Sequence, residues 1–465
     1  MKTEEHQPTR ALAEFAATLD SKTLPQDVRR KLGFLLLDFL RVTSFGARLP
    51  WSDWARKYVA TVGRAGTSHV LFSSETLNPQ HATFLNVSFG SSYDADDTHV
   101  GAMLHPGVAA WSAALATAEH VGASGAEMLA AVVAGYETII RIGLSMQPGH
   151  FRRGFQSTGT CDVFGTAAAA GRLLFRGADA ERKITEAIGL AGSYPSGVAQ
   201  FYYSGSSGKR IQAAHSAQCG VAAALLTQSG FSGPHDILEG AGGFARAYGD
   251  GWNASVIESE LGQRFHLMDV LTKSHAAAAR VAAGIDGMLA LRLLHGFGAG
   301  DIASIALGIP RIIEGRLTNK HPVDLQAAQM SLPFSVAVAA KATLADQVLD
   351  LTVVDFEAGL SDPALHALEE RTTIALDDEV ERASNDLSTA ARVSVTLNDG
   401  RALSMLVTAP KGSPAKPFSD GEQEERFTRE LATRIPAKCC AEIIAMARDL
   451  DRLDPSRLCR LLTGG

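Results

Sequence analysis

Alanine- and glycine-rich segments at helical spacing constrain the fold of this chain most strongly. Alanine has the highest helix propensity, and small residues on facing helices let two backbones approach closely. A helix that is apolar on most of its sides has to be enclosed by other helices. We therefore predict a compact helical bundle whose interior helices cover residues 107–122, 126–145, 163–175 and 180–192.

Strand signals appear only after Lys273. Residues 301–310 (DIASIALGIP) show the alternation and β-branching of a strand. Residues 392–409 predict a hairpin that turns at Asn398-Asp399-Gly400. Further helices are predicted at 27–46, 275–295, 323–343, 421–434 and 438–450.

This change of pattern predicts a mostly α protein with two domains. The larger is an all-α helical bundle, discontinuous in sequence, over 1–270 and 410–465. A smaller α+β lid domain, 271–409, is inserted into it. The 465 residues, 46% of them hydrophobic, are ample for two cores. Ligand sites favour such domain junctions, so we expect the functional site there.

The composition argues against several function classes. The net charge of −7 gives no reason to expect nucleic acid as a partner. The start, MKTEEHQPTR, lacks the blocks of a signal peptide, and no apolar run predicts a membrane span. We expect a cytoplasmic protein whose irregularly spaced cysteines are reduced thiols rather than disulfides or metal ligands: Cys161, Cys219, Cys439, Cys440 and Cys459.

The densest polar cluster lies in residues 93–107 (YDADDTHVGAMLHPG). It holds three carboxylates, a hydroxyl and two imidazoles between strongly apolar segments. A calcium loop of the EF-hand type would need a glycine and a glutamate that are missing, and the two histidines do not have zinc-ligand spacing. Two interpretations stay open. The cluster is either a functional site or a set of helix caps followed by Pro106 in a first helical turn.

A second cluster, residues 150–160 (HFRRGFQSTGT), places Arg152 and Arg153 before a Gly/Ser/Thr segment. Guanidinium groups and exposed amides at a helix start suit the binding of carboxylates or phosphates. The order GxxxxGK[ST] is missing, so a nucleotide loop is not predicted. The alternative is a solvated basic turn with a Ser/Thr cap.

Two further basic segments follow. Lys209 and Arg210 come after a Gly/Ser-rich stretch, where the alternative is a surface loop. Lys273 and His275 stand at the predicted domain junction, where the alternative is a linker.

Taken together, these segments resemble the MmgE/PrpD family, which includes dehydratases, decarboxylases and epimerases of small polycarboxylates. The resemblance implies a helical domain interrupted by an α+β lid, usually in a homodimer with the site between domains. It also implies that no metal, flavin or nicotinamide cofactor is needed. The matching segments are YDADDTHVGAMLHPG (93–107), PGHFRRGFQSTGTCDVFGTAAAAGRLL (148–174), GKRIQAAHSAQCGVAAALL (208–226), LTKSHAAAA (271–279) and HPVDLQAAQMSLPFSVAVA (321–339).

Three positions depart from the family pattern. Gln156 replaces a histidine of the decarboxylase-like members, Phe334 replaces a tyrosine, and Ala278 replaces a histidine five residues past the junction lysine. These departures put decarboxylation and ordinary 2-methylcitrate dehydration in doubt. The resemblance itself places five residues of this chain in the pocket: Asp94, Thr98, His105, Lys209 and Lys273.

The chemistry expected of such a site is proton abstraction α to a carboxylate. His105 is the natural base because the ordinary pKa of histidine, about 6.5, lies near neutrality. Asp94 is a candidate to orient it, and Lys209 or Lys273 a candidate second base. The expected substrate is a small polycarboxylate, bound by Thr98, Arg152, Arg153, Gln156, Arg210 and His275.

Two bases on opposite faces of one carbon make an epimerase, whereas a base and an acid aimed at a leaving group make a lyase. Because two titratable groups and a phenol are replaced, we place epimerisation or isomerisation first. A dehydratase of a 2-methylcitrate-like acid or a decarboxylase of a cis-aconitate-like acid is the alternative. A non-catalytic polycarboxylate binder is the second alternative.

Overall fold

The structure is a computed structural model that describes residues 6–204, 206–344 and 350–464. It confirms the predicted mostly α architecture. The chain divides into two compact units. Unit 1 contains the described residues of Met1–Ala199, Gly208–Asp269 and Ser419–Gly465, and unit 2 contains those of Gln200–Ser207 and Val270–Phe418.

Helices make up most of the chain up to residue 204. The only strands described there, β1 (Ala65–His69) and β2 (Thr76–Leu77), pair antiparallel. The helices are α1 Pro8–Thr18, α2 Gln26–Gly46, α3 Pro50–Val62, α4 Pro79–Ser92, α5 Pro106–Val121, α6 Gly125–Met146, α7 Gly149–Arg152, α8 Ser157–Leu174, α9 Ala180–Ala191 and α10 Phe201–Ser204.

The rest of the chain mixes helices with a sheet. Its strands are β3 Ile302–Ile309, β4 Thr372–Leu376, β5 Ala391–Leu397 and β6 Ala402–Val407. Its helices are α11 Gly208–Gln228, α12 Phe244–Tyr248, α13 Ser255–Glu258, α14 Ala282–His295, α15 Leu325–Gln329, α16 Leu332–Lys341, α17 Val353–Leu360, α18 Pro363–Glu370, α19 Asp378–Ala383, α20 Asp420–Leu431, α21 Ala437–Arg448 and α22 Pro455–Leu462.

The core of unit 1 is built from the alanine- and glycine-rich helices that the sequence predicts. Helices α5, α6, α8 and α11 pack on one another. A Cβ added at Gly165 would lie 2.2 Å from Cγ1 of Ile139 and 2.6 Å from the carbonyl oxygen of Gly135. Only glycine therefore permits the close approach of α8 to α6. This approach matters for the site because α8 begins at Ser157, beside the polar cluster.

Helix α6 is long and apolar enough to cross a membrane by length and composition. However, 94% of its apolar window is buried inside the structure. Its N-terminus is closed by a capping box in which Ser124 and Glu127 exchange side-chain and backbone hydrogen bonds. A buried, capped helix of this kind is what the interior of a helical bundle requires.

Unit 2 carries a four-stranded sheet in the order β4-β3-β5-β6. Strand β3 runs parallel to β4 and antiparallel to β5, while β5 and β6 form the predicted hairpin. Helix α14 packs against β5 and β6, and α16 packs on α14. The chain segments at the two ends of this unit lie side by side, since the Thr272 N–H donates to the Gly412 carbonyl at 3.0 Å.

Two predicted helices of unit 2 were wrong in extent. The helix predicted at 275–295 begins at Ala282, because the backbone before it bonds elsewhere: the Ala276 N–H donates to Leu351 and the Ala278 N–H to Gln329. The helix predicted at 323–343 is two helices, α15 and α16. Ser331 caps the second and Pro333 occupies its first turn, a position where proline lacks no needed donor.

Candidate active site

The loop between α4 and α5 holds three of the predicted site residues, Asp94, Thr98 and His105. Helix α4 ends at Ser92, and the ring of Tyr93 then stacks on Phe45 with centroids 4.0 Å apart. Asp94 follows in the left-handed conformation, with φ of 57°. Residues other than glycine rarely adopt this conformation, and such strain collects at functional sites.

Asp94 forms a buried ion pair with Lys209, the second residue of α11. The Lys209 ammonium donates to Oδ2 of Asp94 at 2.7 Å, and the two side chains are 9% and 2% exposed. Charges are buried at this depth only when a partner offsets the loss of hydration. Two residues of the predicted site are thus brought together from segments 115 positions apart.

His105 lies at the N-cap of α5, and its ring is held from the Nδ1 side. Nδ1 is 2.9 Å from Oγ1 of Thr98 and 3.0 Å from the main-chain carbonyl oxygen of Asp97. A carbonyl oxygen can only accept, so Nδ1 carries the hydrogen and Nε2 carries the basic lone pair. Oδ2 of Asp96 lies 3.8 Å from Nδ1 and favours a positive imidazole. The arrangement suits a general acid–base catalyst that works through Nε2.

Asp97, which sequence reasoning did not include in the site, anchors the turn that carries His105. Its Oδ1 accepts the Gly107 N–H at 2.8 Å, and its Oδ2 accepts the Tyr136 hydroxyl at 2.7 Å. Burial raises the pKa of Asp97 to about 7, although both hydrogen bonds act in the opposite direction. The helix-cap interpretation of the cluster therefore applies to Asp97, while a functional role of His105 stays a prediction.

Substitution of Gly107 by alanine should disturb this anchor. The added Cβ would lie 2.3 Å from both Oδ2 of Asp97 and the hydroxyl of Tyr136, so both groups have to move away from it. We expect a loss of about 1–3 kcal/mol in unfolding free energy, typical of an overpacked core site, and a lower kcat because His105 is displaced. Gly421→Ala is the control, since a Cβ there meets nothing within 4 Å. Wild-type stability and kcat in Gly107→Ala would contradict the anchor.

Asp162 is a second buried carboxyl group, one turn after Thr158 on α8. It has no solvent exposure, and neither of its oxygens has a hydrogen-bond partner among the described residues. Burial raises the pKa of Asp162 well above its usual range, and the charges of Asp96 and Asp97 raise it further. Burial therefore favours the neutral form of Asp162. Thr158 connects this helix to the site because its hydroxyl accepts the His105 N–H at 3.1 Å.

Asp162→Asn should make the protein more stable than the wild type at about pH 8, and this advantage should shrink toward about pH 4. The pKa of Asp162 is raised on folding, so its contribution to stability is fully present below the unfolded pKa and is lost as the pH rises toward the folded value. Asparagine has no such loss. Urea unfolding across this range measures the difference, and the exposed Asp250→Asn is the control. An equal offset at every pH would contradict a raised pKa.

The second basic cluster is placed differently from the first. Arg152 and Arg153 are exposed, and Nη1 of Arg153 donates to the Gly249 carbonyl at 2.6 Å. Gln156 is buried, and its side chain caps α8 by accepting the Gly159 N–H. The predicted helix began at residue 163. The Gln156 cap explains why α8 begins earlier, at Ser157. Arg152, Arg153 and Gln156 remain proposed substrate contacts.

Arg210 follows Lys209 on α11 and is also buried. Its guanidinium lies 4.0 Å from the ring centroid of Trp51, a cation–π contact, and Nε faces the Ser92 carbonyl at 3.5 Å. Arg210 thereby joins α11 to the end of α4, immediately before Asp94. Its predicted contact with the substrate stays a prediction.

The predicted residues of unit 2 are both buried. Lys273 is 2% exposed. His275 uses both ring nitrogens within unit 2: Nδ1 accepts the Leu351 N–H at 3.1 Å, and Nε2 donates to Oδ1 of Asp286 at 2.9 Å. These bonds fix the tautomer of His275 and give each ring nitrogen a hydrogen-bond partner within the protein. Phe334, at the position of the family tyrosine, is fully buried on α16.

Comparison with known proteins covers almost the whole chain. Models of the MmgE/PrpD N-terminal domain and C-terminal domain match residues 10–256 and 275–452. The chain is 26% identical to the cis-aconitate decarboxylase-like protein oryM of Aspergillus oryzae (strain ATCC 42149 / RIB 40), over 99% of this chain and 98% of the relative. It is also 26% identical to cis-aconitate decarboxylase of Aspergillus terreus, over 98% of this chain and 95% of the relative.

Proposed function

Because this chain belongs to the MmgE/PrpD family, we propose that it is a lyase acting on a small polycarboxylic acid, with decarboxylation of a cis-aconitate-like acid as its first candidate reaction. The end-to-end similarity to decarboxylases supports lyase chemistry over the epimerisation that the sequence departures favoured. The observation that supports the proposal is the His105 ring, whose Nδ1–H donates to the Asp97 carbonyl, so that Nε2 is its basic nitrogen.

The reaction needs one positioned proton and a place for negative charge. Decarboxylation breaks a carbon–carbon bond, CO₂ leaves, and the electron pair stays on the remaining skeleton. In an unsaturated tricarboxylate, the double bond and a neighbouring carboxylate spread that charge. A proton then has to reach the carbanion carbon. His105 in its imidazolium form delivers that proton from Nε2, while Nδ1–H stays bonded to the Asp97 carbonyl.

Cationic groups have to hold the substrate, because the chain as a whole carries a charge of −7. Lys209 supplies a buried ammonium in unit 1, and Asp94 fixes its position at 2.7 Å. A substrate carboxylate that approaches Lys209 would share the N–H donors of the ammonium group with Asp94. Lys273 remains a proposed carboxylate-binding residue on the family resemblance alone.

The test is incubation with cis-aconitate, 2-methylcitrate and small amino or hydroxy diacids in D₂O, followed by proton NMR. A decarboxylase consumes cis-aconitate, releases CO₂ and leaves one deuterium on the protonated carbon of the product. His105→Ala should slow the formation of this labelled product about 10²- to 10⁴-fold. A protein that consumes no acid and exchanges no hydrogen, while still binding these acids, would be the non-catalytic binder and would overturn the proposal.

Epimerisation is the second candidate, and the position of Gln156 favours it. The Gln156 side chain caps α8 and offers no titratable group where decarboxylase-like members have a histidine. In the same NMR experiment, an epimerase would exchange an α-hydrogen of a saturated diacid without net loss of substrate. A dehydratase would instead form or hydrate an alkene.

A further inference from the structure

A group of titratable side chains in unit 2 lies outside all the residues considered above. His366 and Glu369 are one turn apart on α18, and His321 lies in the loop before α15. Nδ1 of His366 is 2.9 Å from Oε2 of Glu369, and Nδ1 of His321 is 3.8 Å from the same oxygen. One ligand atom from each of the three residues lies within 4.8 Å of the other two.

The other ring nitrogens determine what these Nδ1 atoms offer. Nε2 of His366 donates to the Leu360 carbonyl at 3.0 Å, and Nε2 of His321 donates to Oε1 of Glu370 at 2.6 Å. A neutral imidazole carries one hydrogen, so both histidines present the Nδ1 lone pair. In this neutral form two lone pairs and a carboxylate face one another, and the arrangement is repulsive unless a metal ion or a proton lies among them.

We propose that His321, His366 and Glu369 bind a divalent transition-metal ion of the zinc class. Two imidazole nitrogens and one carboxylate oxygen, with a remaining position open to solvent, form an ordinary ligand set for zinc. The Nε2–H of each histidine donates to a group that metal-binding histidines commonly contact: a main-chain carbonyl for His366 and a carboxylate for His321. The half-exposed His321 ring leaves a path for the ion.

The backbone supports the same conclusion. His321 has φ of 55°, in the left-handed region, and its N–H donates to Oε1 of Glu369 at 3.3 Å. Strained residues of this kind recur where a side chain has to be aimed at a ligand. Glu369 has no solvent exposure, so its charge needs a cation nearby. A proton shared by Nδ1 of His366 and Oε2 of Glu369, which are 2.9 Å apart, would also meet that need, so metal and proton compete for this site.

Two other groups of three possible ligands do not have this geometry. Nδ1 of His99 accepts the Ala102 N–H, so Nε2 of His99 carries the hydrogen and has no lone pair for a metal near His266 and Asp269. In the third group, Glu119 already accepts hydrogen bonds from both His69 nitrogens, Nδ1 at 2.6 Å and the main-chain N–H at 2.9 Å.

The ion would have a structural role in unit 2. It would join the loop at His321 to α18. Next to this loop, the Ser331 hydroxyl that caps α16 donates to the Asn319 carbonyl at 2.6 Å. The ring of Phe334 on α16 lies 6.0 Å from the ring of His366. Metal binding should therefore stabilise the start of α16.

The test is titration of the chelator-treated full chain with Zn²⁺ alone, by calorimetry, and with Co²⁺ alone, by its visible d–d absorption. We expect one ion per chain and a higher Tm. His321→Ala should abolish binding, and Glu370→Gln should weaken it about 10- to 100-fold, the usual effect of losing an outer-shell partner. His295→Ala, which removes an exposed imidazole of the same unit, is the matched control and should bind normally.

Two results would overturn the proposal: no saturable binding of either ion, or binding that His321→Ala leaves unchanged. His321 is half-exposed, and the Tm of His321→Ala without metal shows whether the variant folds. Lyase activity is measured separately on the chelated protein. Loss of zinc binding and loss of turnover are therefore distinguishable, and each proposal stands or fails independently.

Discussion

Replacement of His105 by alanine should lower kcat by about 10²- to 10⁴-fold, the usual contribution of a positioned general acid or base. The ring is fixed through Nδ1 by Thr98 and by the Asp97 carbonyl, so Nε2 is the atom that we propose for proton exchange with the substrate. Binding of a polycarboxylate should survive, because His105→Ala removes no lysine or arginine. The measurement is kcat per folded molecule, with Kd for the substrate and Tm beside it.

His120→Ala is the matched control for this substitution. His120 lies near the other end of the same helix, α5, and is exposed. It should leave both kcat and Tm near wild type. If His105→Ala lowers Tm but keeps the turnover of the folded fraction, His105 is only a helix-start residue. The proposed proton transfer would then have to be assigned elsewhere.

The helical core could be predicted from sequence because its signal is local. Runs of small apolar residues at helical spacing predict a buried helix from the local sequence alone. Both bounds of α5, α6 and α9 lie within about two residues of the predicted ones. The errors in extent arise where backbone hydrogen bonds go to distant residues. Examples are Ala276 with Leu351 and Ala278 with Gln329.

The association of Gln200–Ser207 with unit 2 had no sequence signal either. A run of eight residues between two helices of unit 1 carries no composition of its own that would distinguish it from a loop of that unit. Its assignment depends on long-range contacts, which patterns of spacing do not report.

The candidate site was predictable in its residue types but not in its pairings. The density of carboxylates and imidazoles in 93–107 identified the loop, and the basic segments supplied Lys209. The sequence did not indicate which residue each of these groups contacts. Tyr136 lies 39 positions from Asp97, inside a helix whose sequence signals only burial. For the same reason the sequence did not indicate the proximity of His321 and His366, which are far apart in sequence and have no metal-ligand spacing.

Removal of Lys209 should destabilise the protein by about 3–5 kcal/mol, because Lys209→Ala leaves the Asp94 carboxylate buried without this counter-ion. The two groups are 2.7 Å apart and almost fully buried. Asp94→Asn added to Lys209→Ala should recover much of the lost unfolding free energy, since it removes the uncompensated charge. Denaturant unfolding of the two single variants and the double variant gives the coupling between them. Exposed Lys57→Ala, the control, should stay within about 0.5 kcal/mol of wild type.

The double variant also separates structure from function. If Lys209 holds a substrate carboxylate, Lys209→Ala with Asp94→Asn should fold well and still show a raised KM and a lower kcat/KM. Stability then returns without activity, because a neutral pair restores packing but supplies no positive charge to a polyanionic substrate. If kcat/KM recovers together with stability, the ion pair serves only the fold of the 93–107 loop. Lys209 would then no longer be assigned to the candidate site. The positive charge that the substrate requires would have to come from other residues.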